Sequence, residues 1–228
     1  MKIYNFEEID STNDFAERIR PLGEDAVITA RRQKNGHGSK GRSFLSETGG
    51  LYLTKLSFYE DFPASEVFRV MIDASVAVCK TMERFSLTPQ IKWPNDVYID
   101  GKKVCGILIS NTFRGDRLIS SVVGIGVNIE NELPKSLSDI AVTMKQAGAK
   151  DFSFERVRDA LVEELQKSFS VEEYKKYIFF LGKNIFLLEG EQKREVVALD
   201  IDERGRLKVK DGDKERSVTA AEVSLRLS

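Results

Sequence analysis

The segment Lys92-Trp93-Pro94-Asn95-Asp96 constrains this chain more than any other, because it stops one strand and starts the next. Strand-like residues flank it at Gln90–Trp93 and Val97–Ile99, and Pro94 lacks the N–H that a ladder needs. Asp100-Gly101 then gives a strong hairpin signal, returning the chain through Lys103–Ser110. This order predicts a sheet corner that presents Asn95 and Asp96 at the strand end and brings Lys103 back beside them. A plain strand-terminating turn with an Asx hydrogen bond would use some of the same residues. It would not need two lysines, an aromatic and an acidic-amide pair together. Such a corner can hold a carboxylate and a phosphate side by side.

The rest of the chain supplies a mixed α+β frame. Ser11-Thr12-Asn13 offers an N-cap to a short helix through Phe15, Ala16 and Ile19. Ala26–Ala30 reads as a short strand, and Leu51–Phe58, apolar on both faces, as an inner one. Val67, Met71, Ala74 and Val78 recur at helical spacing within a helix predicted over 65–85. Arg114-Gly115-Asp116 turns into a long strand, Leu118–Ile129, whose Gly124 and Gly126 mark a bulge or a close approach to the backbone. Residues 154–181 read as one helix with Val157, Leu161, Leu165 and Phe169 on a face. After Gly182 come short strands at 185–188, 194–200, 206–210 and 215–219, separated by Glu189-Gly190, Arg204-Gly205 and Asp211-Gly212. Turns at that spacing predict a small barrel of about 45 residues. The expected division is therefore 1–182 and 183–228.

Between the first two strands lies Asn35-Gly36-His37-Gly38-Ser39-Lys40-Gly41-Arg42. Its glycines let backbone N–H groups approach an anion, and Arg42 can clamp a phosphate or carboxylate bidentately. It is neither a Walker A loop nor a dinucleotide fingerprint, and a solvated surface loop is the bland alternative. His37 is the single histidine of the chain, so Ser39 has no plausible triad and serine-hydrolase chemistry is disfavoured. Lys+Arg 35 against Asp+Glu 36 argues against a broad nucleic-acid footprint, so phosphate binding must come from a local cluster. Cys79 and Cys105 lack metal-ligand spacing and read as buried small hydrophobes. No signal-peptide layout and no run of roughly 18 apolar residues is present, which predicts a cytoplasmic protein without a membrane span.

At this point the sequence resembles the biotin–protein ligases. Four motifs match in order: Asp10-Ser11-Thr12-Asn13; Gly36 to Phe44, against the family's G-R-G-R-x-G-R-x-W; Lys92 to Asp96 continuing through Lys103 and Gly106; and Gly124-Ile125-Gly126-Val127-Asn128. The tail Ala221–Arg226 is similar to the family's ending. The chain departs from the pattern at His37 and Ser39, which replace arginines, and at Phe44, which replaces tryptophan. The arginine replaced at Ser39 helps the family's loop close over the activated intermediate, so retention of that intermediate is the property this departure touches.

The resemblance implies a fold like class II aminoacyl-tRNA synthetases, a mixed and mostly antiparallel sheet with packed helices, plus an SH3-like C-terminal β-barrel. It implies activation of biotin by ATP to biotinyl-AMP with release of pyrophosphate, then transfer to a lysine of a biotin carboxyl carrier protein. Lys103, Arg42 and Asp96 would be catalytic. Ser11, Thr12, Asn13, Gln33, Gly36, His37, Gly106 and Gly126, with Lys103, would bind biotin. Ser39, Lys40, Arg42, Phe44, Trp93, Asn95, Asn128 and Arg226, again with Lys103, would bind the nucleotide. Asp96 would orient Lys103, help hold Mg²⁺, or assist deprotonation of the acceptor lysine. Mg²⁺ would accompany ATP, and the loop 35–44 would order when ligand binds. The chain opens on the catalytic motifs, so a DNA-binding repressor role through an N-terminal helix-turn-helix is not expected. Family analogy allows a homodimer. A lipoate– or octanoate–protein ligase and a non-catalytic biotin sensor are the competing readings.

Overall fold

The structure is a computed structural model describing residues 1–189, 192–219 and 224–227, the side chains of Lys40 and 224–227 excepted. The chain runs β1 (Lys2–Ile9), α1 (Thr12–Ile19), β2 (Ala26–Gln33), β3 (Leu51–Pro63), α2 (Phe68–Glu83), β4 (Gln90–Lys92), β5 (Asp96–Ile99), β6 (Lys102–Arg114) and β7 (Arg117–Val127). It continues through α3 (Phe154–Glu164), α4 (Val171–Tyr177), β8 (Asn184–Glu189), β9 (Gln192–Ile201), β10 (Leu207–Asp211), β11 (Lys214–Val218) and β12 (Ser224–Leu227). Among the described residues these strands form two sheets, β1-β2-β3-β7-β6-β5-β4 and β11-β10-β9-β8-β12. Only the β1–β2 pair is parallel. No helix among the described residues is long and apolar enough to cross a membrane.

Alternation along the central strands sends their side chains to two different destinations. Leu51 and Leu53 of β3, with Val123, Ile125 and Val127 of β7, join the large core under α2, α3 and α4. Leu56 and Val122 point the other way and pack with Ala16 of α1. On that second face, further along the strands, Tyr52 lies opposite Gly126 and Thr54 opposite Gly124. Gly106 of β6 also faces Gly126. The two glycines read from the sequence as special thus form a floor without side chains at the end of α1.

The turns are where the sequence placed them. Asp100 and Gly101 take φ values of 49° and 76° between β5 and β6, as a two-residue hairpin of this type requires. Gly115 and Gly212 also take positive φ between paired strands. Glu189-Gly190 lies partly outside the described residues. Three expectations change. β1, not foreseen, forms an edge strand, and β12 adds to the C-terminal sheet. The single helix expected over 154–181 is two, because Ser170 accepts from the Glu173 N–H while the Glu173 carboxylate accepts from the Ser170 N–H. That capping box starts a new helix, so Phe169, expected on the helix face, instead donates its N–H to Asp73 at 2.8 Å.

Candidate active site

β4 ends at Lys92 and β5 begins at Asp96, so Trp93, Pro94 and Asn95 form the corner itself, with a cis Trp93–Pro94 peptide. The Asn95 side-chain amide donates to the Ile107 carbonyl at 2.7 Å, and the Asn95 backbone carbonyl accepts from the Ile107 N–H at 3.0 Å. Those bonds fix the corner against β6. The hairpin then returns Lys103, whose Nζ sits 2.6 Å from Asp96 Oδ1, with both side chains about one-third exposed. Its backbone is clamped as well: Lys103 N–H donates to Ile140 at 2.9 Å and its carbonyl accepts from Val142 at 3.0 Å. A lysine held at both ends is a cation with little freedom left to lose when an anion arrives.

Two cavities meet at this lysine. A narrow cleft of ≈ 50 Å³ runs over the glycine floor and is lined by Ser11, Thr12, Asn13, Gln33, His37, Ser39, Phe44, Asn95, Asp96, Lys103, Gly106 and Gly126 among others. A larger cavity of ≈ 700 Å³ shares Ser39, Phe44, Asn95, Asp96 and Lys103 and adds Arg42, Trp93 and Asn128. Its volume falls in the range of about 300–1,000 Å³ usual for ligand pockets. The structure therefore gathers most of the residues that the sequence singled out. Gly36 is buried but serves the loop, since a Cβ there would overlap Ser46 Oγ and the Phe44 carbonyl. The side chains of Lys40 and Arg226 lie outside the described residues.

The narrow end is organised by a chain of hydrogen bonds. Ser11 caps α1 by accepting from Asp14 N–H at 3.2 Å. Gln33 Oε1 accepts from Thr12 N–H at 2.8 Å and from its hydroxyl at 2.9 Å, while Gln33 Nε2 donates to Ser46 Oγ at 3.0 Å. Ser46 in turn donates to the Phe44 carbonyl at 2.9 Å. Thr54, fully buried, brings its hydroxyl to 2.6 Å from Asn13 Oδ1 and 2.8 Å from Thr12 Oγ1. Thr54 was missed in the sequence, although a threonine between Leu53 and the buried end of β3 was a usable signal. Tyr52, Gly124 and Leu108 also line the cleft and were not assigned to it.

The glycine loop is a small hairpin. Gly38 N–H donates to Arg42 at 2.7 Å and Phe44 N–H to Gly36 at 2.8 Å. The two residues that stand where the family pattern has its first two arginines have partners here. His37 Nε2 lies 2.9 Å from Asp14 Oδ2, and Arg42 donates to the Ser39 hydroxyl at 2.9 Å. The Phe44 ring rests on the floor, where a Cβ on Gly126 would overlap it, with Lys103 Nζ 6.0 Å from its centroid. A Cβ on Gly124 would overlap the Asn13 amide in the same way.

On the wide side, Asn128 is buried and its Oδ1 accepts from Asn131 at 3.2 Å. Trp93 is 4% exposed, mostly core with an edge on the cavity. Tyr98, another cavity residue, has its hydroxyl pushed up to about 12 by burial, with the Asp96 charge adding to it, so it stays a neutral donor at pH 7. Burial likewise raises the Cys105 thiol, which leaves it unreactive. Asp96 is the one carboxylate lining either cavity among the described residues, and it is engaged by Lys103. No three His, Cys, Asp or Glu side chains among the described residues cluster as metal ligands. The described donors therefore do not fit a resident metal centre.

The site thus offers a polar-ended slot, an anchored cation at its mouth and a larger cavity also lined by Arg42 and Lys92. Comparison with known proteins gives the same picture from a different direction. Residues 5–128 match the profile of the biotin/lipoate A/B protein ligase family and residues 180–226 that of the biotin protein ligase C-terminal domain. The bifunctional ligase/repressor BirA of Bacillus subtilis (strain 168) is 34% identical over 128 residues, 54% of this chain and 39% of that protein. The biotin–[acetyl-CoA-carboxylase] ligase of Paracoccus denitrificans is 33% identical over 134 residues, 53% of this chain and 51% of that protein. The chain thus spans about two-fifths to half of these relatives' lengths. Among solved structures, the biotin protein ligase from Aquifex aeolicus in complex with biotin and ATP superposes with a TM-score of 0.75 at 29% identity, covering 100% of this chain and 99% of that one. On the strength of these matches, the chain belongs to the biotin/lipoate A/B protein ligase family.

Proposed function

We propose that this protein is a biotin–protein ligase that makes biotinyl-AMP from biotin and ATP and passes the biotinyl group to a lysine of a biotin carboxyl carrier domain. The observation that carries the reading is the position of Lys103, pinned by Asp96 at the junction of the two cavities. Residues 1–182 would form the catalytic unit and 183–228 the second one.

In the first step the biotin carboxylate oxygen attacks the α-phosphorus, and the bond to the β-phosphate oxygen breaks to release pyrophosphate. Two anions must approach each other, so cations that offset their repulsion lower the barrier. Lys103 would lie between carboxylate and α-phosphate, and Arg42 would take phosphate on the wide side. Mg²⁺ enters as part of the nucleotide substrate, held by its phosphates. In the second step the acceptor amine attacks the acyl carbon and AMP leaves with the carbon–oxygen bond's electrons. That amine must first lose a proton, because a free lysine is almost wholly protonated at pH 7. Of the three roles open to Asp96, orienting Lys103 is the one its 2.6 Å contact supports.

Ser11, Thr12 and Asn13 would meet the polar ureido end of biotin over the glycine floor, with Gln33 acting through Thr12 and Ser46. Asn128 and Asn95 would serve the nucleotide. The biotin protein ligase C-terminal domain match favours biotin over lipoate. The test is pyrophosphate release with ATP and biotin, with lipoate as control, for the wild type and Lys103→Ala. Biotin-dependent release falling about 100–1000-fold in the variant is expected for a lost charge of this kind. Release with lipoate alone would move the substrate, and no release with either acid would end the ligase reading.

A further inference from the structure

We propose that the turn Asp202–Arg206 of the C-terminal sheet is a positioning element for the reacting corner, acting through the indole of Trp93. The inference rests on the ligase reading above. Trp93 Nε1 donates to the Gly205 carbonyl at 3.0 Å in a buried hydrogen bond that crosses from one sheet to the other. The acceptor is built for depth. Gly205 has a φ of 72° and no room for a Cβ, which would fall inside the Phe68 ring. Asp202 folds the turn by accepting from the Arg204 N–H at 3.0 Å and the Arg206 N–H at 2.9 Å, and by pairing with Arg206 Nε at 2.7 Å.

The same packing reaches the next residue of the corner. Phe68 meets Tyr174 edge to face with centroids 5.7 Å apart, and the Tyr174 hydroxyl donates to the Pro94 carbonyl at 2.8 Å. Trp93 and Pro94 are therefore held from outside their own sheet, immediately before Asn95, Asp96 and the Asp96–Lys103 contact. Leu188 of β8 also lines the larger cavity, so the C-terminal sheet forms part of the same wall. Simple apolar burial of a ring would not require a directed bond from its N–H. Here the bond selects one orientation of the indole, and with it the direction in which the chain enters Asn95 and Asp96.

A displacement near 1 Å at a reacting group can cost on the order of 100-fold in rate. The experiment uses Asp202→Ala, which loosens the turn at a residue lining neither cavity, and Trp93→Phe, which keeps an aromatic ring without the donor. Trp93 is the only tryptophan, so its fluorescence and acrylamide quenching report the contact directly in wild type and Asp202→Ala. The expected result is greater quenching in Asp202→Ala, pyrophosphate release slowed on the order of 100-fold in both variants, and a KM for biotin within about twofold of wild type. Wild-type rates with increased quenching would overturn the proposal, as would unchanged quenching in Asp202→Ala or wild-type turnover by Trp93→Phe. A biotin KM that rises in step with a falling Tm would also overturn it, since that signals general loosening. Wild-type turnover in the same assay separates a failure here from a failure of the ligase reading.

Discussion

Replacing Thr54 by Val is the sharpest perturbation of the narrow cleft, because it deletes one hydroxyl and leaves volume and strand preference almost unchanged. Thr54 is fully buried, and its oxygen lies 2.6 Å from Asn13 Oδ1 and 2.8 Å from Thr12 Oγ1. Thr12 already spends its proton on Gln33, so Thr12 Oγ1 and Asn13 Oδ1 both act as acceptors and share the single proton of Thr54, with Asn13 the shorter contact. The variant leaves that acceptor short of a donor, at a cost of about 1–3 kcal/mol when buried. Asn13 is half-buried and opens on the cleft, which puts the expected loss toward the lower end. For a chain of this size about 1 kcal/mol moves Tm by roughly 2–4 °C, so a fall of that size is expected. An unanchored Asn13 amide should also weaken binding of the acid, and a loss of about 1.4 kcal/mol there is a tenfold rise in KM for biotin. The assay is pyrophosphate release with biotin and ATP varied separately, beside thermal melts, with Thr54→Ser as the control that restores the hydroxyl. The KM for ATP should not change. A Thr54→Val protein with wild-type Tm and wild-type biotin KM would refute the reasoning, because the hydrogen-bond chain would then be idle.

Further outcomes follow from other parts of the molecule. Gly124→Ala puts a methyl group into the Asn13 amide and should raise the biotin KM about tenfold or more while sparing the KM for ATP; equal changes in both would show that the floor does not belong to biotin alone. The Glu163 carboxyl is held down to about 2, chiefly by its hydrogen bond to Arg84, against an ordinary 4.5. Its contribution to stability is therefore present above about pH 4.5 and disappears as pH falls from there toward 2, so Tm should drop more steeply in that window for wild type than for Glu163→Gln, and parallel curves would remove Glu163 from the acid response. Ser39→Ala deletes the hydroxyl on which Arg42 rests and should raise protease cleavage within 35–44 in the ligand-free protein; biotin and ATP should suppress that cleavage, and equal protection with and without them would argue against ligand-linked ordering of the loop.

The fold was legible where local chemistry dictates it. Asp100-Gly101 can form a two-residue hairpin almost regardless of surroundings, and α2 advertises its core-facing side through the spacing of Val67, Met71, Ala74 and Val78. β1 was invisible for the opposite reason. Its side chains are mostly exposed or half-buried, so Lys2–Ile9 carries no apolar alternation strong enough to announce a strand, and what fixes it is pairing with β2. The break between α3 and α4 was present in the sequence as Ser170 and Glu173, three residues apart. The apolar series Val157, Leu161, Leu165, Phe169 continued across it and hid the start signal, which shows that a capping pair outranks one more turn of periodicity.

The site divides along the same line. Residues whose chemistry is unusual for their location, such as Lys103 after a Pro-Asn-Asp corner or two glycines inside a strand, could be found from type and spacing alone. Residues that act by holding another residue could not. Gln33 reads as a ligand contact but spends its amide on Thr12 and Ser46, while Thr54, which reads as ordinary strand, anchors Thr12 and Asn13. Ser39 and His37 look like losses when set against the family motif, yet one seats Arg42 and the other meets Asp14. A missing arginine therefore need not leave the loop slack, since the same loop has acquired a different set of internal partners. Partnership of this kind is a property of pairs brought together across many residues of chain. A motif records which side chains are available, and only the fold decides which of them face the substrate and which face each other.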